Sequence, residues 1–124
     1  MGEVRRYAAS ARSTDLVGRM DVHAREHSVL VDGPPWNGFP GEELMPGELF
    51  LGGIASCAVE LLQMLASDAG YPLTDVRVEV RAELDPDDQP RDDVRLFNRV
   101  SVAIEARGVS QRQAEELVEG FKGR

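Results

Sequence analysis

Of the 124 residues one is a cysteine, Cys57, and two are histidines, His23 and His27. A single thiol excludes an internal disulfide and any Cys-rich zinc or iron–sulfur centre, which needs several thiolates. Cys57 lies in Gly52-Gly53-Ile54-Ala55-Ser56-Cys57-Ala58-Val59-Glu60, among small neighbours that let another element approach closely. It is either a small apolar packing residue or a nucleophile, and a reactive thiolate needs a positive neighbour. Its own segment supplies none, so an arginine from elsewhere, Arg19 or Arg25, would have to. Glu60, one turn on, would raise the thiol pKa and oppose activation; it is read as pairing with a base or facing water.

His23 and His27 stand four apart, a spacing that on a helix would suit a metal ion. The alternation around them reads as strand, where such residues lie about 13 Å apart, so no metal site is expected. Asp85, Asp87, Asp88, Asp92 and Asp93 lack the Asp-x-Asp-x-Asp-Gly order and distal Glu of a calcium loop and read as a solvated turn.

The elements that must position these residues follow from periodicity. Between Glu3 and Asp32, period-two runs separated by turn residues predict an antiparallel meander. Asp32 to Gly41 holds three Pro and three Gly, which predicts a loop without regular structure. Its Trp36 and Phe39 either lie over a pocket or partner surface or anchor the loop to the core. Pro46 opens a predicted helix that runs to about Ala69, with Gly70 as its stop and Pro72 beyond. Leu49, Phe50, Leu51, Ile54, Ala55, Val59, Leu61, Leu62, Met64 and Leu65 cannot share one face of that helix, so it needs cover on every side. In so short a chain one sheet covers one face; the remainder must meet another layer or another subunit, which predicts a dimer. Thr74–Leu84 and Val94–Ala106 alternate apolar and polar residues and predict a long hairpin around the turn Asp85–Asp93. Ser110 caps a final amphipathic helix, Gln111–Phe121.

The charge balance, 22 acidic against 14 basic residues and a net −8, disfavours nucleic acid, because no basic stripe faces a polyphosphate. The hydrophobic content of 42% is that of a folded chain. No secretory signal is visible at the start, which makes the cytoplasm the expected location. The longest apolar run, Leu49–Ala69, is broken by Gly52, Gly53, Glu60, Gln63 and Asp68, so it reads as a buried helix and no membrane insertion is expected. One domain, residues 1–124, is expected.

The stretch Met45-Pro46-Gly47-Glu48-Leu49-Phe50-Leu51-Gly52-Gly53-Ile54-Ala55-Ser56-Cys57 resembles the active-site helix of the OsmC/Ohr family of bacterial organic hydroperoxide resistance proteins, typically Pro-x-Glu-Leu-Leu-Leu-x-x-Leu-x-x-Cys. The resemblance extends through Ala69-Gly70-Tyr71-Pro72-Leu73, and before the motif through Ala24-Arg25-Glu26-His27 and Val31-Asp32-Gly33-Pro34, which look like the OsmC-like branch. It implies an α+β fold in which antiparallel sheets wrap a central buried helix in an intertwined homodimer. It also implies a stress-response thiol peroxidase in which Cys57 attacks an organic hydroperoxide and is afterwards reduced, with an Arg–Glu pair holding the thiolate. Arg25 and Glu48 are the residues that would fill that pair. No bound cofactor is implied; the reductant would be an external dithiol such as dihydrolipoamide.

Three departures from the family pattern stand out. The family's resolving cysteine belongs to a Cys-Pro pair after the last helix, and the sequence ends at Arg124, about where that pair would come, which leaves truncation before it and true loss as the two alternatives. The family's acid, ten residues before the cysteine, falls on Gly47, with Glu48 one step later. On one straight helix Glu48 and Cys57 are about 900° and about 13.5 Å apart, so Glu48 would serve the thiol from a partner chain or through an unwound first turn, or else is only a helix N-terminal charge. The activating arginine is Arg25, in the better-matched stretch, or Arg19. The competing expectation is a non-catalytic dimer of the same fold that binds an apolar small molecule at the subunit interface.

Overall fold

The computed structural model describes residues 2–123. In chain order it contains β1 (Ser10–Ser13), β2 (Arg19–Ala24), β3 (His27–Asp32), a 3-10 turn (Pro35–Asn37), α1 (Pro46–Ala69), β4 (Asp75–Glu83), β5 (Arg99–Arg107) and α2 (Gln111–Lys122). The fold is α+β, with one three-stranded sheet ordered β1-β2-β3 and one hairpin, β4-β5, all pairs antiparallel. Two compact units result, one ending at Leu49 and one starting at Phe50.

In the first unit the meander forms as its alternation requires. Arg25 adopts φ 56°, the left-handed region, and with Glu26 turns β2 into β3. That turn corrects the expectation that His23 and His27 share a strand: His23 lies on β2 opposite Ser28, and His27 lies on β3 opposite Ala24. The Pro/Gly-rich segment contains one 3-10 turn, which a purely irregular loop did not anticipate; Pro35 presets its first φ and Gly38, at φ 83°, ends it. Phe39 lies against Gly18 and Gly33, where a Cβ would collide with its ring, and Gly18 has φ 90° besides. Phe39 therefore anchors the loop, while Trp36 stays 78% exposed.

In the second unit the core is Leu62, Ala66 and Leu117, flanked by Leu65, Tyr71, Leu73, Val76, Val78, Ile104 and Phe121. Burying a leucine such as Leu62 contributes roughly 1.5–3 kcal/mol. Helix α2 starts with a reciprocal cap: the Ser110 hydroxyl accepts from the Gln113 N–H, and the Gln113 side chain accepts from the Ser110 N–H. The predicted strand from Val94 begins only at Arg99. Residues 84–98 form a longer loop because two polar side chains take over its backbone groups. Asn98 accepts from the Asp85 N–H and donates to the Asp88 carbonyl, while Gln89 donates to the carbonyls of Asp85 and Leu96 and accepts from the Leu96 N–H.

Helix α1 is continuous over the predicted span, closed by Gly70 at φ 70°. Within one chain only Ala58, Leu62 and Ala66 on it are buried, a single face at a spacing of four. The all-round cover that its composition calls for is thus supplied on one side only. By length and composition α1 is also long and apolar enough to cross a bilayer. Glu60 and Asp68 within it, and the packing of Leu62 and Ala66 into the core, fit a protein core helix.

Candidate active site

Cys57 sits mid-way along α1 and its side chain is exposed. The neighbours on the open side are apolar: Phe50 and Met64 are 61% and 53% exposed, and Ile54 is at the margin. Phe50, Ile54, Cys57, Leu61 and Met64 recur at alternating steps of four and three, which aligns them in one stripe along a helix. Phe97, in the loop before β5, stacks on Phe50 at 6.2 Å between ring centroids and shields part of the upper end of the stripe. A Cβ at Gly52 or Gly53 would meet no other atom within 4 Å, so the helix backbone there is open to a close approach. Glu60 is exposed and, among the described residues, forms no ion pair.

Glu48 has a structural employment. Helix α1 is unbroken from Pro46, so the first turn is not unwound, and the Glu48 carboxylate accepts the Met45 N–H at 2.9 Å. This is half a capping box: an acid in the first turn satisfies a donor that the helix leaves orphaned. Arg25 is exposed at the β2–β3 turn and, among the described residues, forms no ion pair with Glu48 or any other acid.

The first unit's ordered cation is Arg19. Its Nε donates to Asp32 Oδ1 at 2.7 Å, and its Nη2 donates to Asp32 Oδ2 at 2.9 Å and to Glu42 Oε1 at 3.2 Å. Asp32 is wholly buried and also accepts the N–H groups of Glu42 and Glu43, at 2.9 and 3.0 Å. The Arg19 hydrogen bonds hold the Asp32 carboxyl far below the usual carboxylate range, against the upward push of burial. The same bonds raise the Arg19 pKa, so its charge is permanent. Arg19 keeps 22% of its side chain exposed, enough to offer charge outward from a fixed position. Asp32 and Glu42 were not singled out from the sequence; the one available signal was an acid closing the apolar run Val29-Leu30-Val31.

The family model described as OsmC-like protein matches residues 39–124, which contain Cys57 and most of α1. The chain belongs to the OsmC-like protein family. Among solved structures, this OsmC-like chain is similar to an OsmC-like protein from Mycoplasma pneumoniae, with TM-score 0.80 and 15% identity over 97% of this chain and 82% of that one. It is similar to an organic hydroperoxide resistance protein from Elizabethkingia anophelis, with TM-score 0.78 and 17% identity over 99% and 85% of the two chains. A third similar structure is an organic hydroperoxide resistance protein OsmC from Legionella pneumophila, with TM-score 0.71 and 22% identity over 98% and 85%. At these identities the likeness establishes the OsmC-like fold. No curated protein sequence matches the chain.

Proposed function

We propose that this OsmC-like protein is a cytoplasmic, homodimeric thiol peroxidase of the stress response that reduces organic hydroperoxides through Cys57. The observation that carries the reading is the exposed thiol at the centre of the open apolar stripe of α1, inside the segment that matches the family. The names of the Elizabethkingia and Legionella structures support it. An apolar surround favours alkyl or lipid hydroperoxides over hydrogen peroxide.

In the reaction the Cys57 thiolate attacks a peroxide oxygen, the O–O bond breaks, and the alkoxide leaves as alcohol after taking up a proton. Cys57 becomes a sulfenic acid. Residues 1–124 carry one cysteine, so no second thiol within them captures it. An external dithiol of the dihydrolipoamide type therefore returns the two electrons, releasing water and closing to its own disulfide. The thiolate needs a cation beside it. Arg19 is the arginine built rigid by its surroundings, whereas Arg25 is exposed on a turn. Exchanging each for glutamine, which removes the charge, and following the rate of thiol alkylation tests which supports the thiol. The homodimer rests on the exposed apolar residues of the same helix: a partner chain covering Phe50 and Met64, at the two ends of the stripe, would supply missing cover and leave Cys57 reachable between them.

The test is consumption of cumene hydroperoxide by the purified protein with dihydrolipoamide, beside Cys57→Ser and a hydrogen peroxide control. Turnover that disappears in Cys57→Ser supports the peroxidase. The second reading, a non-catalytic dimer that holds an apolar small molecule, is favoured by the stripe itself, which suits an apolar guest whether or not the thiol turns over. Absence of any Cys57 oxidation by the peroxide would select it.

A further inference from the structure

Phe97 reaches α1 from the loop between β4 and β5, and its place there is fixed by its two chain neighbours. Leu96, before it, donates its N–H to the Gln89 side-chain oxygen at 2.7 Å and accepts the Gln89 amide at 3.1 Å. Asn98, after it, donates its N–H to the Glu83 carbonyl at 2.7 Å, while its side chain accepts the Asp85 N–H and donates to the Asp88 carbonyl. Arg95 folds back onto the carbonyls of Asp92 and Val94. A loop pinned on both sides of Phe97 presents that ring already ordered, so a guest that meets it does not bear the entropy cost of fixing it.

The ring stacks on Phe50, with 6.2 Å between centroids and 24° between planes. Phe50 begins the stripe that continues through Ile54 to Cys57. Seven residues are close to two whole helical turns, so Phe50 and Cys57 share a direction to within about 20° and lie about 10.5 Å apart along the axis. The stack therefore ends the stripe at a set distance from the thiol. A saturated chain with C–C bonds of about 1.5 Å advances roughly 1.3 Å per carbon, so a linear tail of about eight carbons spans from the sulfur to the rings. Shorter tails, and compact ones such as tert-butyl, stop over Ile54.

We infer that Phe97 is a specificity-determining residue: with Phe50 it forms an aromatic end wall that selects linear hydroperoxide tails long enough to touch it, and Gln89 is the residue that positions it. The inference deepens the peroxidase reading of Cys57 and rests on it for the identity of the guest. The peroxide oxygen meets Sγ, the middle of the tail lies on Ile54 and its methyl end meets the aromatic pair. The gain at the wall is apolar area removed from water, and only a tail that reaches the wall collects it. Length, more than total bulk, is thus the property that the stack reads.

The test alkylates Cys57 of the full chain with N-methylmaleimide and N-octylmaleimide, each rate being divided by that of N-acetylcysteine with the same reagent. The octyl-to-methyl ratio of the native sequence should be at least ten. Phe97→Ala should lower it at least fivefold, Phe97→Leu should restore most of it, and Gln89→Ala, which loosens the loop, should lower it at least twofold. A native ratio near one overturns the proposal without any variant, and so does a ratio that Phe97→Ala leaves unchanged because both rates move together. Linear octyl hydroperoxide and tert-butyl hydroperoxide are then compared with dihydrolipoamide as reductant; Phe97→Ala should lower kcat/KM for the octyl compound at least fivefold relative to tert-butyl, mainly through KM. Peroxide consumption with no preference for the longer tail overturns the proposal and leaves the peroxidase standing. A maleimide preference that depends on Phe97 without any peroxide consumption supports the end wall and removes the peroxidase. A native dimer that Phe97→Ala converts to monomer in sedimentation would assign the stack to a subunit contact and overturn the proposal.

Discussion

Arg19 and Asp32 face each other directly across β2 and β3, and the buried carboxylate takes both arms of the guanidinium at 2.7 and 2.9 Å. The two ends of this pair are unequal, because Asp32 has no exposure while Arg19 reaches solvent. Removing the arginine strands an anion inside the protein; neutralising the acid leaves a cation that can turn outward. Arg19→Ala should therefore lower the melting temperature by on the order of 10 °C, and Asp32→Asn by clearly less. Arg19→Lys should fall between them, since an ammonium cannot make the two parallel bonds. Thermal melts at neutral pH decide this; Asp32→Asn melting lowest of the three would refute the asymmetry.

The same pair sets the acid limit of stability. The Arg19 hydrogen bonds keep the Asp32 carboxyl below its ordinary value in the folded chain, so the folded state binds a proton there less readily than the unfolded state. The stabilisation is complete above the ordinary carboxylate pKa of about 4 and is lost as the pH falls below it. Urea midpoints measured from pH 6 down to pH 3 should decline steeply for the native sequence. In Asp32→Asn the decline should be shallower, and an unchanged slope would show that other carboxylates govern acid unfolding.

How much of this was legible in the sequence depends on how local each cause is. Helix α1 has its predicted limits because Pro46 and Gly70 act on their own backbone, and α2 because Ser110 and Gln113 are three residues apart. The start of β5 was not legible, since Val94–Asn98 alternates like a strand and is diverted by Gln89 and Asn98 bonds that exist only once the loop has closed. The histidines moved to two strands because a left-handed Arg25, a conformation with no glycine to announce it, makes the turn. Arg19 and Asp32 are thirteen residues apart, and only strand register makes them neighbours. Glu48 was legible as a helix-terminal charge because its cause is local: it stands three residues after Met45 and accepts that residue's N–H.

The cap of α2 gives a prediction of small and definite size. Ser110→Ala removes an acceptor from the Gln113 N–H and should cost about 1 kcal/mol, while Ser110→Gly should cost only a few tenths. Gln113→Ala removes the reciprocal bond to the Ser110 N–H. Combined with Ser110→Ala it should cost less than the sum of the two single losses, because the two bonds orient one another. Denaturant midpoints of the single and double variants measure this; full additivity would mean that the two halves of the cap act independently.

Gly52 and Gly53 separate a lone chain from the proposed dimer. Each lies inside α1 with nothing within 4 Å of where a Cβ would stand. In a lone chain Gly→Ala at an open helix position should stabilise by up to about 1 kcal/mol, by lowering the entropy lost on folding. If a partner chain packs closely against the stripe, a methyl group added beside it collides instead. Gly53 borders the Phe50–Met64 stripe while Gly52 points away from it, so the dimer reading predicts that Gly53→Ala weakens self-association at least tenfold by sedimentation equilibrium and that Gly52→Ala does not. The melting temperature of Gly53→Ala should fall and become no more dependent on protein concentration than that of the native sequence. A melting temperature that rises and is independent of concentration would place the second subunit, if one exists, somewhere other than along these glycines.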